Sequence, residues 1–103
     1  MGTKSKGLKP VHPGDLLGRI MKELEISSYA LAKATGKTPT QIHRIVKHKA
    51  SITAGMALLI GKALGTSAEM WVRLQAQYDL EIAQLMQPAL HVEQLVDAGK
   101  KVA

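Results

Sequence analysis

A chain of 103 residues without a single cysteine is one domain's worth of polypeptide, which excludes disulfides, thiolate metal sites and thiol chemistry from the start. Its formal charge of +6 is uneven, with ten Lys/Arg against three Asp/Glu in residues 1–50 and four against five in residues 51–103, a one-sided field that favours an anionic partner, nucleic acid above all. No apolar run reaches the length of a membrane span and no signal-peptide core precedes the first element, so a soluble cytoplasmic protein with no membrane partner is expected.

Residues 1–11, MGTKSKGLKPV, are polar, basic and interrupted by glycine and proline, and read as an arm. Its Lys4, Lys6 and Lys9 are candidates for phosphate or minor-groove contacts. From Pro13, a first-turn residue whose missing N–H costs nothing, Leu16, Leu17, Ile20, Met21 and Leu24 recur on one face of a 3.6-residue period. Ser27 is placed to N-cap a short second helix that packs through Tyr29, Leu31, Ala32 and Ala34. Gly36 stops that helix by taking the left-handed conformation usual after a C-terminus. Thr38 caps a third helix with Pro39 at its first position. Thr53 opens a fourth, TAGMALLIGKALG, apolar nearly all round and therefore expected to be buried by its neighbours. A fifth begins with a cap at Thr66 or Ser67 and carries Trp71, Leu74, Tyr78, Ile82 and Leu85 as a stripe before Pro88 breaks it. Residues 88–103 read either as a short sixth helix or as a frayed tail.

Five or six short helices joined by tight turns make an all-α bundle. A long first helix, a short second, a glycine turn and a polar-faced third are the layout of a helix-turn-helix, and residues 12–87 are assigned to such a domain, of the lambda-repressor-like type. The third helix, within GKTPTQIHRIVKHK, decides the functional reading. At about 100° per residue, Ile42, Ile45 and Val46 share one side, while Thr40, Arg44 and Lys47 share the other. Surface helices ordinarily mix acids with lysines for i,i+4 pairing; this one has no acid at all. The face is therefore read as one that lies against double-stranded DNA. Pro39 and Thr40 are assigned to base edges and Arg44 to a guanine, since residues near the start of a recognition helix reach deepest into the major groove. Ser28, Lys37, Thr38, Gln41, Lys47 and Lys49 are assigned to the DNA backbone.

Catalysis finds no support. His12, His43, His48 and His91 are spread along the chain, and His43 and His48, five apart, do not share a helix face as paired ligands would. No paired carboxylates, nucleophile elbow or phosphate loop is present, so neither a metal nor a cofactor is expected. The histidines are read as solvent-exposed, with His12 serving the start of the first helix. RNA is a poorer partner than DNA: there is no phenylalanine, and Trp71 and Tyr78 sit at core or dimer-interface spacing rather than on a stacking platform.

His12-Pro-Gly14 at the head of the first helix, together with Ser27 to Ala83, resembles the Xre-like antitoxins of the HigA/VapI type. The most specific parts are that HPG opening, Ile52-Thr53-Ala54, and GTSAEMW with LQAQYDL in the fifth helix. The resemblance implies an antitoxin of a type II toxin–antitoxin module. Such a chain binds a HigB-like mRNA-cleaving toxin and represses its own operon by binding operator DNA as a dimer. Dimerisation is expected on geometry too, since one recognition helix reads too few base pairs. The rival reading is a stand-alone helix-turn-helix repressor without a toxin. Two positions depart from the family pattern. Asn-Gly-Lys or Asn-Gly-Arg commonly follows the recognition helix, but here Lys47-His48-Lys49 lacks the glycine, which predicts an extra helical turn. Ala68 stands where proline is frequent.

Overall fold

A computed structural model describes residues 9–86, 92–97 and 100–101. Five helices follow in order: α1 (Pro13–Glu23), α2 (Ser28–Thr35), α3 (Pro39–Val46), α4 (Ala54–Leu64) and α5 (Ala68–Met86). Beyond them, β1 (Val96–Asp97) and β2 (Lys100–Lys101) form a two-residue antiparallel ladder with Val96 opposite Lys101. Among the described tail residues this ladder stands in place of a sixth helix. Lys4, Lys6, Pro88, Leu90 and His91 lie outside the described residues.

The helix boundaries follow from local chemistry. Ser27, Thr38 and Thr53 each accept a backbone N–H three residues on, from Ala30, Gln41 and Met56, at 3.0–3.1 Å, satisfying a donor that an uncapped terminus leaves unpaired. Ser67, rather than Thr66, caps α5 by accepting from Met70 N–H at 3.2 Å. The Thr66 hydroxyl instead accepts the Trp71 indole N–H at 2.8 Å, so the largest core side chain is buried with its polar atom satisfied.

The core is built from one or two residues of each helix: Leu17 and Met21, Leu31 and Ala32, Ile42 and Ile45, Ala57 and Ile60, and Trp71, with Ile52 from the loop before α4. Burying a large apolar side chain contributes about 1.5–3 kcal/mol, which is why α2 and α3, eight residues each, hold together by packing rather than by propensity.

Several faces depart from the periodicity. Tyr29 is 73% exposed and Ala34 is also exposed, because α2 turns Leu31, Ala32 and Thr35 inward instead. Leu24 follows the end of α1 and lies outside. The fourth helix is not enclosed: Ala57, Ile60 and Gly61 are buried, but Leu58 is 59% exposed. The α5 stripe packs from Trp71 to Ile82, after which Leu85 overhangs the bundle and is exposed.

The HPG opening has a physical basis. His12 caps α1 with its own ring, Nδ1 accepting Gly14 N–H at 2.9 Å, and Pro13 occupies the first helical position. A Cβ on Gly14 would stand 2.0 Å from the Ile45 carbonyl oxygen. The start of α1 is thus pressed against the last turn of α3, an approach open only to glycine.

Candidate nucleic-acid interface

The turn between α2 and α3 closes as its residues predict. Gly36 sits at φ 76°, and Lys37 N–H reaches back to Ala32 carbonyl at 2.9 Å, the six-to-one bond of a Schellman closure. Thr38 and Gln41 then form a reciprocal capping box: Thr38 Oγ1 accepts Gln41 N–H at 3.1 Å, while Gln41 Oε1 accepts Thr38 N–H at 2.9 Å. The side-chain oxygens of both residues work inside the turn.

Ile42 and Ile45 fasten α3 to the core, and Val46 is half-buried. Pro39, Thr40, Gln41, His43, Arg44, Lys47 and Lys49 are all exposed. Ser28 is half-buried at the first position of α2. The exposed and anchoring sides of the helix are separated as the wheel requires. Arg44 does not extend freely, for its Nη2 donates to Lys49 carbonyl at 2.8 Å. With Lys37, Gln41, Ser51 and Thr53 it lines an open cavity of about 530 Å³ between α3 and the start of α4.

The end of α3 differs from expectation. The extra helical turn is absent. Lys47 is the C-cap, His48 follows at φ 65°, and Lys49 N–H bonds Arg44 carbonyl at 2.7 Å. This is the same closure as at Gly36, with a histidine in the place of a glycine. A side chain in that conformation costs about 1–2 kcal/mol. Contacts of the ring offset it: His48 Nε2 meets Asp15 Oδ1 at 2.6 Å, and the ring stacks on His12 with centroids 4.7 Å apart and planes 17° off parallel. The other neighbour of His12 is Tyr78 of α5, edge-on at 4.8 Å.

His12 is therefore not a solvent-exposed histidine; it is 3% exposed. Burial pushes its pKa below the ordinary histidine value, and the neighbouring His48 acts in the same direction; Asp15, Asp79 and a backbone hydrogen bond at Ala50 oppose them. A second clamp holds the same loop. Gln75 of α5, buried, accepts Ile52 N–H at 2.7 Å and donates to Asp79 at 2.9 Å.

Sequence reasoning did not single out Tyr29, Asp15, Gln75, Ser51 or the ring of His48 for this surface. For Tyr29 the signal was available: two residues from Leu31 is about 200° around the helix, so the two cannot share a face. It lines a surface cavity of about 290 Å³ with Lys33, Lys37 and Pro39, beside the start of α3. For Asp15, Gln75 and His48 no local pattern exists, because Asp15 and His48 meet each other across 33 residues and Gln75 meets Ile52 across 23.

Among the described residues no group of three or more His, Asp or Glu side chains is placed to hold a metal ion, and no described helix is long and apolar enough to cross a membrane.

The helix-turn-helix family model matches residues 17–71. Virulence-associated protein I of Dichelobacter nodosus is 34% identical over 83 residues, 80% of this chain and 77% of that protein. Two structures are also similar. One is the Pseudomonas aeruginosa antitoxin HigA with the higBA promoter, TM-score 0.79 and 33% identity over 85% of this chain and all of that one. The other is the antitoxin GraA in complex with its operator, TM-score 0.81 and 31% identity over 92% of this chain and all of that one. The family is one of DNA-binding regulators and antitoxins, not of enzymes. This chain belongs to the Xre-like helix-turn-helix family, among proteins of the HigA/VapI type.

Proposed function

We propose that this chain is the antitoxin of a type II toxin–antitoxin module, which neutralises a HigB-like mRNA-cleaving toxin and represses its own operon by binding operator DNA as a dimer. The observation that carries the DNA half is the exposed, acid-free side of α3, continued by the lysines of the loop that follows. Support comes from the likeness to two antitoxins whose structures hold promoter or operator DNA.

The interface is assigned as follows. Pro39 and Thr40 meet base edges at the deep end of the groove, and Arg44 leaves the Lys49 carbonyl to pair with a guanine, a contact worth about 1–3 kcal/mol of discrimination. Ser28, Lys37, Thr38, Gln41, Lys47 and Lys49 take the DNA backbone, Thr38 and Gln41 through groups the capping box leaves over. The dimer forms through the outer side of α5, where Val72 and Leu80 are exposed with Ala76 between them, beside Leu58 of α4. An apolar strip of this kind on a small protein marks a protein interface. Two copies then present α3 to half-sites about 34 Å apart.

Operator binding and toxin capture are tested separately. With Lys37, Lys47 and Lys49 of both protomers on phosphates, the logarithm of affinity falls with the logarithm of salt at a slope near −5. Arg44→Ala relaxes selection at one base position per half-site by about 1–3 kcal/mol, whereas Lys47→Ala weakens all sequences alike; the reverse pattern places the wrong face in the groove. Co-purification with the product of the adjacent gene tests the toxin. Operator binding without any such partner identifies a stand-alone repressor instead.

A further inference from the structure

The loop after the recognition helix is held by side chains to which no DNA contact has been assigned. His48 occupies a left-handed backbone conformation that is uncommon for a residue other than glycine, at φ 65°. Two groups hold it. The Asp15 carboxylate of α1 takes its Nε2 at 2.6 Å, and the ring of His12 stacks on it at 4.7 Å. His12 is fixed in turn, because its Nδ1 caps α1 and Tyr78 of α5 packs on it edge-on. The residues on either side of His48 are Lys47 and Lys49, and the Lys49 carbonyl holds the Arg44 guanidinium at 2.8 Å. Two lysines of the interface therefore take their positions from one backbone segment, and besides its backbone hydrogen bonds to α3 that segment is braced against α1 by the His48 ring.

We infer that Asp15 and His48 act as a positioning pair for operator binding: their contact, backed by the His12 ring, sets the loop that carries Lys47 and Lys49. The pair acts through the backbone of the loop. It converts a segment that glycine would leave mobile into one with a defined direction, so that the two lysines meet phosphates without ordering on binding. The inference rests on the assignment of this loop to the DNA interface. It also runs against simple electrostatics. Removing the negative charge of Asp15 from a DNA-binding protein should by Coulomb's law strengthen binding, whereas loss of the pair weakens it.

The test uses the full chain and a duplex taken from the region upstream of its own gene. Affinity is measured across a salt series for wild type, D15N, H48G, the D15N/H48G double variant and K47A/K49A. Glycine at position 48 keeps the positive φ without strain, so H48G folds, and thermal melting confirms the folded fraction of each variant. D15N and H48G should each weaken binding about fivefold, and the double variant about fivefold as well instead of about twenty-five-fold, because both remove one interaction. Adding H48G to K47A/K49A should cost nothing further. D15N binding as tightly as wild type or more tightly, or single effects that multiply, overturns the positioning pair. K47A/K49A binding like wild type overturns the loop's place at the interface and the pair's role with it. A weakened K47A/K49A beside an unaffected D15N overturns the pair alone.

Discussion

The two helices of the helix-turn-helix end in the same way with different residues. After α2, Gly36 takes a positive φ and the following N–H reaches back to the Ala32 carbonyl. After α3, His48 takes a positive φ and the following N–H reaches back to Arg44. At Gly36 an added Cβ would meet nothing within 4 Å; the turn is exposed and no side chain could brace it. At His48 the neighbours are Asp15 and His12, from the start of α1. Glycine closes a helix by its own conformational freedom, wherever it stands. A histidine in that place bears a backbone cost, and here the rest of the molecule supplies contacts that offset it and tie that end to the fold.

Gly14, which lets α1 reach the end of α3, gives the largest expected effect. Gly14→Ala puts a methyl 2.0 Å from a backbone oxygen, a clash that no side-chain movement relieves. A loss of about 3 kcal/mol in denaturant unfolding is expected, near the top of the overpacking range. A value under about 1 kcal/mol would mean that α1 does not press on α3. Next comes Gly36→Val, where a β-branched side chain enters the left-handed region without support. Its expected loss is about 2 kcal/mol, and an unchanged melting temperature refutes the turn. His48→Gly sharpens the contrast, since release of backbone strain offsets the lost ring contacts. Stability should move by less than about 1 kcal/mol in either direction, so any operator-binding defect in this variant is not one of folding.

The smallest effect is a dependence on pH through His12. Burial lowers its folded pKa below 6.5, so the unfolded chain binds more protons in the interval between the two values. Stability is full above the unfolded value and is lost as pH falls through that interval. The melting temperature of wild type should therefore drop on acidification below about pH 6.5. His12→Asn, which keeps a capping acceptor without a titrating ring, should show a shallower drop. Equal slopes would mean that His12 titrates as freely in the folded chain as in the unfolded one.

Much of the architecture is legible residue by residue. Ser27, Thr38 and Thr53 cap, Pro13 and Pro39 open helices, and Gly36 ends one, because each of these acts within a turn of its own position. The division of α3 into Ile42 and Ile45 against Arg44 and its neighbours is legible for the same reason: helical period is local. Burial is less so. Tyr29, Leu58 and Leu85 have the right chemistry for a core and remain exposed, since whether an apolar group is covered depends on which helix reaches it. The site shows the same boundary. The cations of α3 stand on its exposed face, yet Arg44 turned onto the Lys49 carbonyl and the loop pinned through Ile52 and Gln75 have no counterpart in spacing.

By itself the sequence determined the helices, their caps and the side of α3 that carries positive charge, all of them consequences of bonds and periods spanning a few residues. Only the tertiary structure decided what His12, Gly14 and His48 are for. His48 stands more than thirty residues from the other two, and each gains its meaning from a partner brought to it by the fold: a carbonyl that admits no Cβ, a ring to stack on, a carboxylate within hydrogen-bonding distance. Such contacts exist only once α1 lies across the end of α3. The loop beside the recognition helix owes its shape to that crossing.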